Sequence, residues 1–238
     1  MSGQPVIEDR PPTGPPRWGL GDAVGGYAVA FLLMGLAAAS WVALTGRRER
    51  SLGLVVVVLV AQWTGLVGAV VVASRRKGSG RLGEDFGFRV EARDVKPGLV
   101  AGLFSQFVLL PLLYLPVQLV NPDLDPTDAA RRLTALGRGW GAVVLAACVV
   151  IGAPLVEELF FRGLLQRSLA RRFGPAWGVG VSALAFGVVH GQPLQLLGLV
   201  AFGVVLGLLA QWSGRLGPSL VAHAVFNAAT VVLLVVLR

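Results

Sequence analysis

Residues 139–172 read GWGAVVLAACVVIGAPLVEELFFRGLLQRSLARR. The stretch is apolar to Val156, then takes Glu157, Glu158 and Arg162 with no turn signal, and closes on Arg167, Arg171 and Arg172. It reads as one long helix whose amphipathic end carries arginines toward the headgroups of a bilayer. Six other apolar runs accompany Gly139–Val156: Tyr27–Leu44, Leu52–Ala73, Gly98–Val120, Ala176–Val189, Leu194–Trp212 and Gly217–Leu237. Most approach the ~20 residues needed to cross a bilayer, and the run at 176–189 is short. The 238-residue chain is 55% hydrophobic and only 14% charged, against about 25% charged for an ordinary soluble domain. A single core in a soluble protein of this size could not hide so much apolar surface. These numbers exclude a soluble enzyme, a disordered protein and a disulfide scaffold. They point to an all-α, polytopic membrane bundle of seven or eight transmembrane helices over residues 25–238. Residues 1–24, with Pro5, Pro11, Pro12, Pro15 and Pro16, read as a disordered, proline-rich cytoplasmic tail.

The net charge of +8 lies between the apolar runs, where it reads as basic loops and not as a nucleic-acid surface. Seven alternating spans would put Arg10, Arg17, the basic loop 75–96, Arg167, Arg171, Arg172 and Arg215 on one side. The opposite side holds Arg47, Arg48, Arg50, Arg131, Arg132, Arg138 and Arg238, a smaller set. The richer side is the expected cytoplasmic side, which places the N-terminus inside a cell membrane. Trp18, Trp140, Trp177 and Trp212 fall near span ends, as an interfacial belt would, and Gly203-xxx-Gly207 can bring two helices close.

Charged side chains inside hydrocarbon cost about 2.5–3.5 kcal/mol each even on a lenient scale, so their presence suggests function. Glu157, Glu158 and Arg162 sit in the fourth run, His190 ends the fifth, and His223 and Asn227 lie in the seventh. Glu158 and Arg162 are four residues apart and share a helix face, so they can pair. Glu157, rotated by roughly 100°, can face a cavity. Phe186 with His190, and His223 with Asn227, repeat the same spacing. Counted from the Gly174-Pro175 turn, Glu157 and His190 lie at one level, roughly 24–26 Å away. His223, only six residues past Gly217, reaches that level in one of two ways. Either the 163–174 corner projects beyond the next turn, or the sixth helix is bent near Gly191-Gln192-Pro193.

In order and spacing, Glu157-Glu158-xxx-Arg162, Phe186-xxx-His190 and His223-xxx-Asn227 resemble the signature EExxxR, FxxxH, HxxxN. That signature belongs to the CPBP (Abi) family, related to the type II CAAX prenyl endopeptidases. The resemblance is specific over residues 139–238 and rests on hydropathy alone before them. It implies an intramembrane endopeptidase in which Glu157 activates water and His190 helps hold it. His223 and Asn227 would donate to the oxyanion, and Glu158 with Arg162 would brace the site. Metal use stays open. Glu157, His190 and His223 form a set that zinc accepts, yet the chain has no HExxH helix, and a metal-independent water site uses the same residues.

The implied partners are the lipid bilayer and a peptide or membrane-protein substrate, with no nucleic acid. Nothing in the residues reads a prenyl group. The substrate is open among a bacteriocin-like peptide, a signal or leader peptide and a membrane-protein segment. The alternative is a non-catalytic scaffold or bacteriocin self-immunity protein that retains the motif. A proton-relay transporter would need corresponding halves, and no repeat relates 27–120 to 139–238.

Overall fold

The apolar runs form helices in a computed structural model that describes residues 16–236. We label the helices α1 (Leu20–Thr45), α2 (Leu52–Lys77), α3 (Leu82–Phe86), α4 (Ala92–Val120) and α5 (Asp128–Ala135). They are followed by α6 (Trp140–Phe173), α7 (Pro175–Val189), α8 (Leu196–Ser213) and α9 (Gly217–Val236). The described residues contain no strand. Six of these helices, α1, α2, α4, α6, α8 and α9, are long and apolar enough by length and composition to cross a membrane. That is one fewer than the expected seven. The fifth run forms α7, whose 15 residues extend only about 22 Å against a hydrocarbon core of about 30 Å.

The polarity of the molecule is reversed relative to a soluble domain. Phe31, Leu36, Leu119 and Leu208 face outward, while Glu158 and Arg162 have no exposed surface at all. Trp140, Trp177 and Trp212 lie exposed near helix ends, as expected of a belt. Trp18 is the exception. It is buried, 4.7 Å from the ring of Phe86 and 3.6 Å beneath the guanidinium of Arg171. Helix α1 begins at Leu20, so ordered chain starts earlier than the expected tail boundary at 24. Residues 1–15 of that tail lie outside the described residues.

Small residues set the closest helix contacts. A Cβ on Gly65 would collide with the backbone of Ala30, and one on Gly26 with Ala69, which fixes α1 against α2. Gly98 and Gly102 admit α9 to α4 in the same way, through Val221 and the carbonyl of Ala222. Helix α4 starts at Ala92, six residues before its apolar run, because Asp94 reaches back to the backbone N–H of Glu91 at 2.8 Å. Asp94 also accepts from Arg215 at 2.9 Å, tying α4 to the α8–α9 turn.

Helix α6 is continuous, as read, but it is not a plain α-helix. It carries π turns at Cys148–Gly152 and Glu158–Gln166, and α4 carries one at Ser105–Leu109. Two of these have a proline cause. A proline ring clashes with the carbonyl four residues earlier. For Pro111 and Pro154 that carbonyl lies inside the preceding π turn, whose wider winding moves it aside. The turn at 158–166 contains no proline and follows Glu157 directly.

Helix α6 runs through the middle of the bundle and meets α1, α2, α3, α7, α8 and α9. One end gathers the starts of α1 and α4, the end of α2, the 167–173 corner and the 214–216 turn. Contacts that join them include Arg17 N–H to the Lys77 carbonyl at 2.7 Å and Arg167 to the Gly214 carbonyl at 2.7 Å. These are the basic segments that alternation of spans grouped together. The second contact also settles the level of His223. Gly214 lies beside Arg167, so the corner to Phe173 projects past the α8–α9 turn, and α8 is unbroken from Leu196 to Ser213.

Candidate active site

Four residues apart on α6, Glu158 and Arg162 meet as the spacing requires, with Arg162 Nη1 donating to Glu158 Oε1 at 2.9 Å. Both are fully buried. A buried pair costs desolvation, which is recovered only when the remaining donors and acceptors are also engaged. Here the engagement is partial, since Glu158 Oε2 and Arg162 Nε are buried without a partner among the described residues. Arg162 Nη2 donates to the Gly203 carbonyl on α8 at 3.2 Å, and its guanidinium lies 4.4 Å over the ring of Phe186. Glu158 Oε1 also accepts from His223 Nδ1 on α9 at 2.9 Å. A carboxylate accepts, so the proton of the neutral imidazole sits on Nδ1 and the lone pair on Nε2. That Nε2 lies 3.8 Å from Glu157 Oε2. Glu157 itself is only partly buried, with 18% of its side chain exposed. The two adjacent glutamates thus face different surroundings: Glu158 is enclosed, and Glu157 opens outward.

His190 caps the end of α7 and places Nδ1 2.6 Å from the Phe186 carbonyl. A carbonyl can only accept, so this ring too presents an unprotonated Nε2 when neutral. Phe186 joins the two imidazoles. Its ring stands edge-on to His190 at 4.7 Å and to His223 at 5.7 Å. Phe202 closes the other side of His223 at 5.6 Å. Phe186, read in the sequence only as a motif member, is therefore the packing centre of the cluster.

Asn227, one turn past His223, donates from Nδ2 to the Val149 carbonyl at 2.8 Å. Pro154 explains why that carbonyl is free. In the π turn the donor for Val149 would be residue 154, and proline has no N–H. The first motif's helix thus carries a built-in vacancy that the third motif's asparagine fills. This engages one N–H of Asn227 in joining α9 to α6 and leaves its other amide N–H uncommitted by that bond.

Gln166 was missed by sequence reasoning. Its Nε2 donates to the Gly207 carbonyl at 2.9 Å, repeating one turn later what Arg162 does at Gly203. Its signal was legible: Glu158, Arg162 and Gln166 recur every four residues, and Gly203 and Gly207 do the same on α8. A Cβ on Gly203 would press on Ala183, and one on Gly207 on Gln166 and Val179. The two glycines therefore bring α8 close enough for both bonds.

Glu157, His190 and His223 were expected to be the ligands if zinc were used. Among the described residues no group of three or more His, Cys, Asp and Glu side chains is arranged to hold a metal ion. Glu158 and the Phe186 carbonyl occupy one nitrogen of each imidazole. Both imidazoles keep Nε2 free, the arrangement a metal-ligating histidine also shows, and the steps below are derived from the side chains alone.

Residues 139–229 match the family described as type II CAAX prenyl endopeptidase Rce1-like. No curated protein and no solved structure matches the chain. The matched stretch opens one residue before α6 and closes two residues after Asn227, so it encloses all three motifs. The part of this protein running from α6 into α9 is thus similar to the Rce1-like family, in keeping with the CPBP resemblance of its motifs.

Proposed function

We propose that the protein is an intramembrane endopeptidase that hydrolyses a peptide bond with water activated by Glu157. The observation that carries this reading is the approach of Glu157 to His223, itself held by the buried Glu158–Arg162 pair. Glu157 is the carboxylate of the cluster that is open to a substrate, so it is the general base. It takes a proton as the water oxygen adds to the peptide carbonyl carbon. It then returns that proton to the leaving amine as the C–N bond breaks. His190, with its lone pair on Nε2, accepts the water's other O–H and orients it. His223, held through Nδ1 by Glu158, keeps Nε2 beside Glu157 and fixes where that carboxylate meets the water. Asn227 keeps one amide N–H beyond its bond to Val149 and donates it to the oxyanion.

The basic end of the bundle, with the N-terminal segment, faces the cytoplasm in this reading. The substrate is a peptide or a membrane-protein segment reaching the site from the bilayer or from that face. The competing reading, a non-catalytic scaffold or immunity protein, requires the same fold without turnover. The test compares membrane and secreted peptides from cells expressing the wild type and Glu157→Gln. Cleavage products present only with the wild type are expected and would name a substrate. Identical profiles across growth conditions would favour the scaffold.

A further inference from the structure

The basic end of the bundle holds an open cavity of 470 Å³ whose walls include Trp18, Glu84, Asp85, Arg162, Arg167 and Arg171. Ligand pockets of small molecules typically span about 300–1,000 Å³. Several cations at this end have a carboxylate partner. Lys77 pairs with Asp22 at 2.6 Å, Arg81 with Glu84 at 2.8 Å, Arg89 with Glu91 at 3.0 Å and Arg215 with Asp94. Of the three arginines in the cavity wall, Arg162 pairs with Glu158, whereas Arg167 and Arg171 do not pair. They lie four apart on α6, where like charges repel, and neither meets a carboxylate among the described residues within 4.0 Å. Arg167 gives one bond to the Gly214 carbonyl, and Arg171 gives two, to the carbonyls of Pro16 and Trp18. Each guanidinium carries five N–H donors, so both keep donors in hand.

The acids of the wall are already engaged. Glu84 accepts from Arg81, and Asp85 accepts from the Ser74 hydroxyl and the Ser79 backbone N–H. A second, independent observation concerns orphaned donors. Trp18 Nε1 and Arg162 Nε are buried and have no hydrogen-bond partner. Trp18 is 3% exposed and Arg162 0%. Buried polar groups are nearly always satisfied, and both of these are donors. The missing partner is an acceptor with negative charge and several oxygens.

We propose that this cavity binds a phosphate group, carried on a lipid headgroup or free as inorganic phosphate, with Arg167 and Arg171 as its principal ligands. Guanidinium forks match phosphate oxygens in pairs. Donors approach the cavity from α6 and from the segment ahead of α1, which suits a group with oxygens on several sides. Its principal ligands lie away from the hydrolytic centre, Arg167 being ten residues beyond Glu157, about 10–15 Å along the helix, and Arg162 stands between the two.

The test uses the full-length protein. Thermal unfolding in a neutral detergent is followed as inorganic phosphate is titrated at constant ionic strength. It is also measured in nanodiscs of phosphatidylcholine with and without phosphatidylglycerol. A saturable rise in Tm is expected, weakened about tenfold or more in Arg167→Gln/Arg171→Gln. Should that double variant not fold, Arg167→Gln alone and Trp18→Phe, which keeps the ring and removes the N–H, carry the same expectation. A response to phosphate in detergent identifies the free anion, and a response only to phosphatidylglycerol identifies the headgroup. No saturable response to either, or equal responses in wild type and variants, overturns the proposal.

Discussion

Between α1 and α2 the contact is made by small apolar residues. Gly26 and Ala30 face Ala69 and Gly65 so closely that an added methyl has no room. Between α6 and α8 the contact is polar. Arg162 and Gln166 reach across to the carbonyls of Gly203 and Gly207, and Glu158 adds His223 of α9 to the same network. In a bilayer, lipid is as apolar as leucine, so burying apolar surface between helices drives little association. Two sources of stability remain, dispersion at close backbone approach and hydrogen bonds that no water contests. The first makes a joint that fixes distance but carries no chemistry. The second fixes charged groups at defined positions, as it does for Glu158, Arg162 and His223 in the stretch that matches the Rce1-like family.

The comparison breaks most readily at Arg162. Replacing it with alanine leaves Glu158 buried without its cation, and a loss of about 3–5 kcal/mol is expected, read as a fall in the denaturation midpoint together with loss of activity. Glu158→Gln/Arg162→Met should recover part of that stability but no activity, because His223 loses its anionic anchor. A smaller effect is expected at the apolar joint. Gly65→Val must push α1 from α2, at about 1–3 kcal/mol, and the fraction that stays folded should retain its turnover. A Gly65→Val cost above that of Arg162→Ala would reverse the ranking of the two joints. Gln166→Ala removes one donor from a buried carbonyl and should cost about 1 kcal/mol by the same denaturation measurement. At the bottom of the scale, Asp128→Asn breaks the exposed pair with Arg132 on α5 and should leave the midpoint unmoved.

The same contrast explains what the sequence disclosed. Spacing alone exposed the Glu158–Arg162 pair, since four residues on a helix means one face, whether the winding is α or π. It exposed α6 as one helix, because apolar residues and arginines follow each other there without a breaker. It left His223 at two possible levels, since only the bond from Arg167 to Gly214 shows how far the corner projects. It did not disclose the bond from Asn227 to Val149. That bond depends on Pro154 withholding a donor inside a π turn, and no residue spacing announces such winding. Trp18 was misplaced for a related reason. A tryptophan near a span end suits an interface equally well whether it faces lipid or folds under an arginine. Only the position of Arg171, 153 residues away in sequence, decides between them.

The division of labour between the two glutamates is tested most directly by a single turnover in ¹⁸O-water, on a substrate found by peptide profiling. Mass spectra would be taken of the new C-terminus and of the peptide containing Glu157. Activation of water by Glu157 places one ¹⁸O in the product carboxylate, leaves Glu157 unlabelled, and gives no turnover in Glu157→Gln at an unchanged melting temperature. Label in the Glu157 carboxylate would indicate a covalent acyl intermediate instead, and turnover in Glu157→Gln would remove Glu157 from the chemistry.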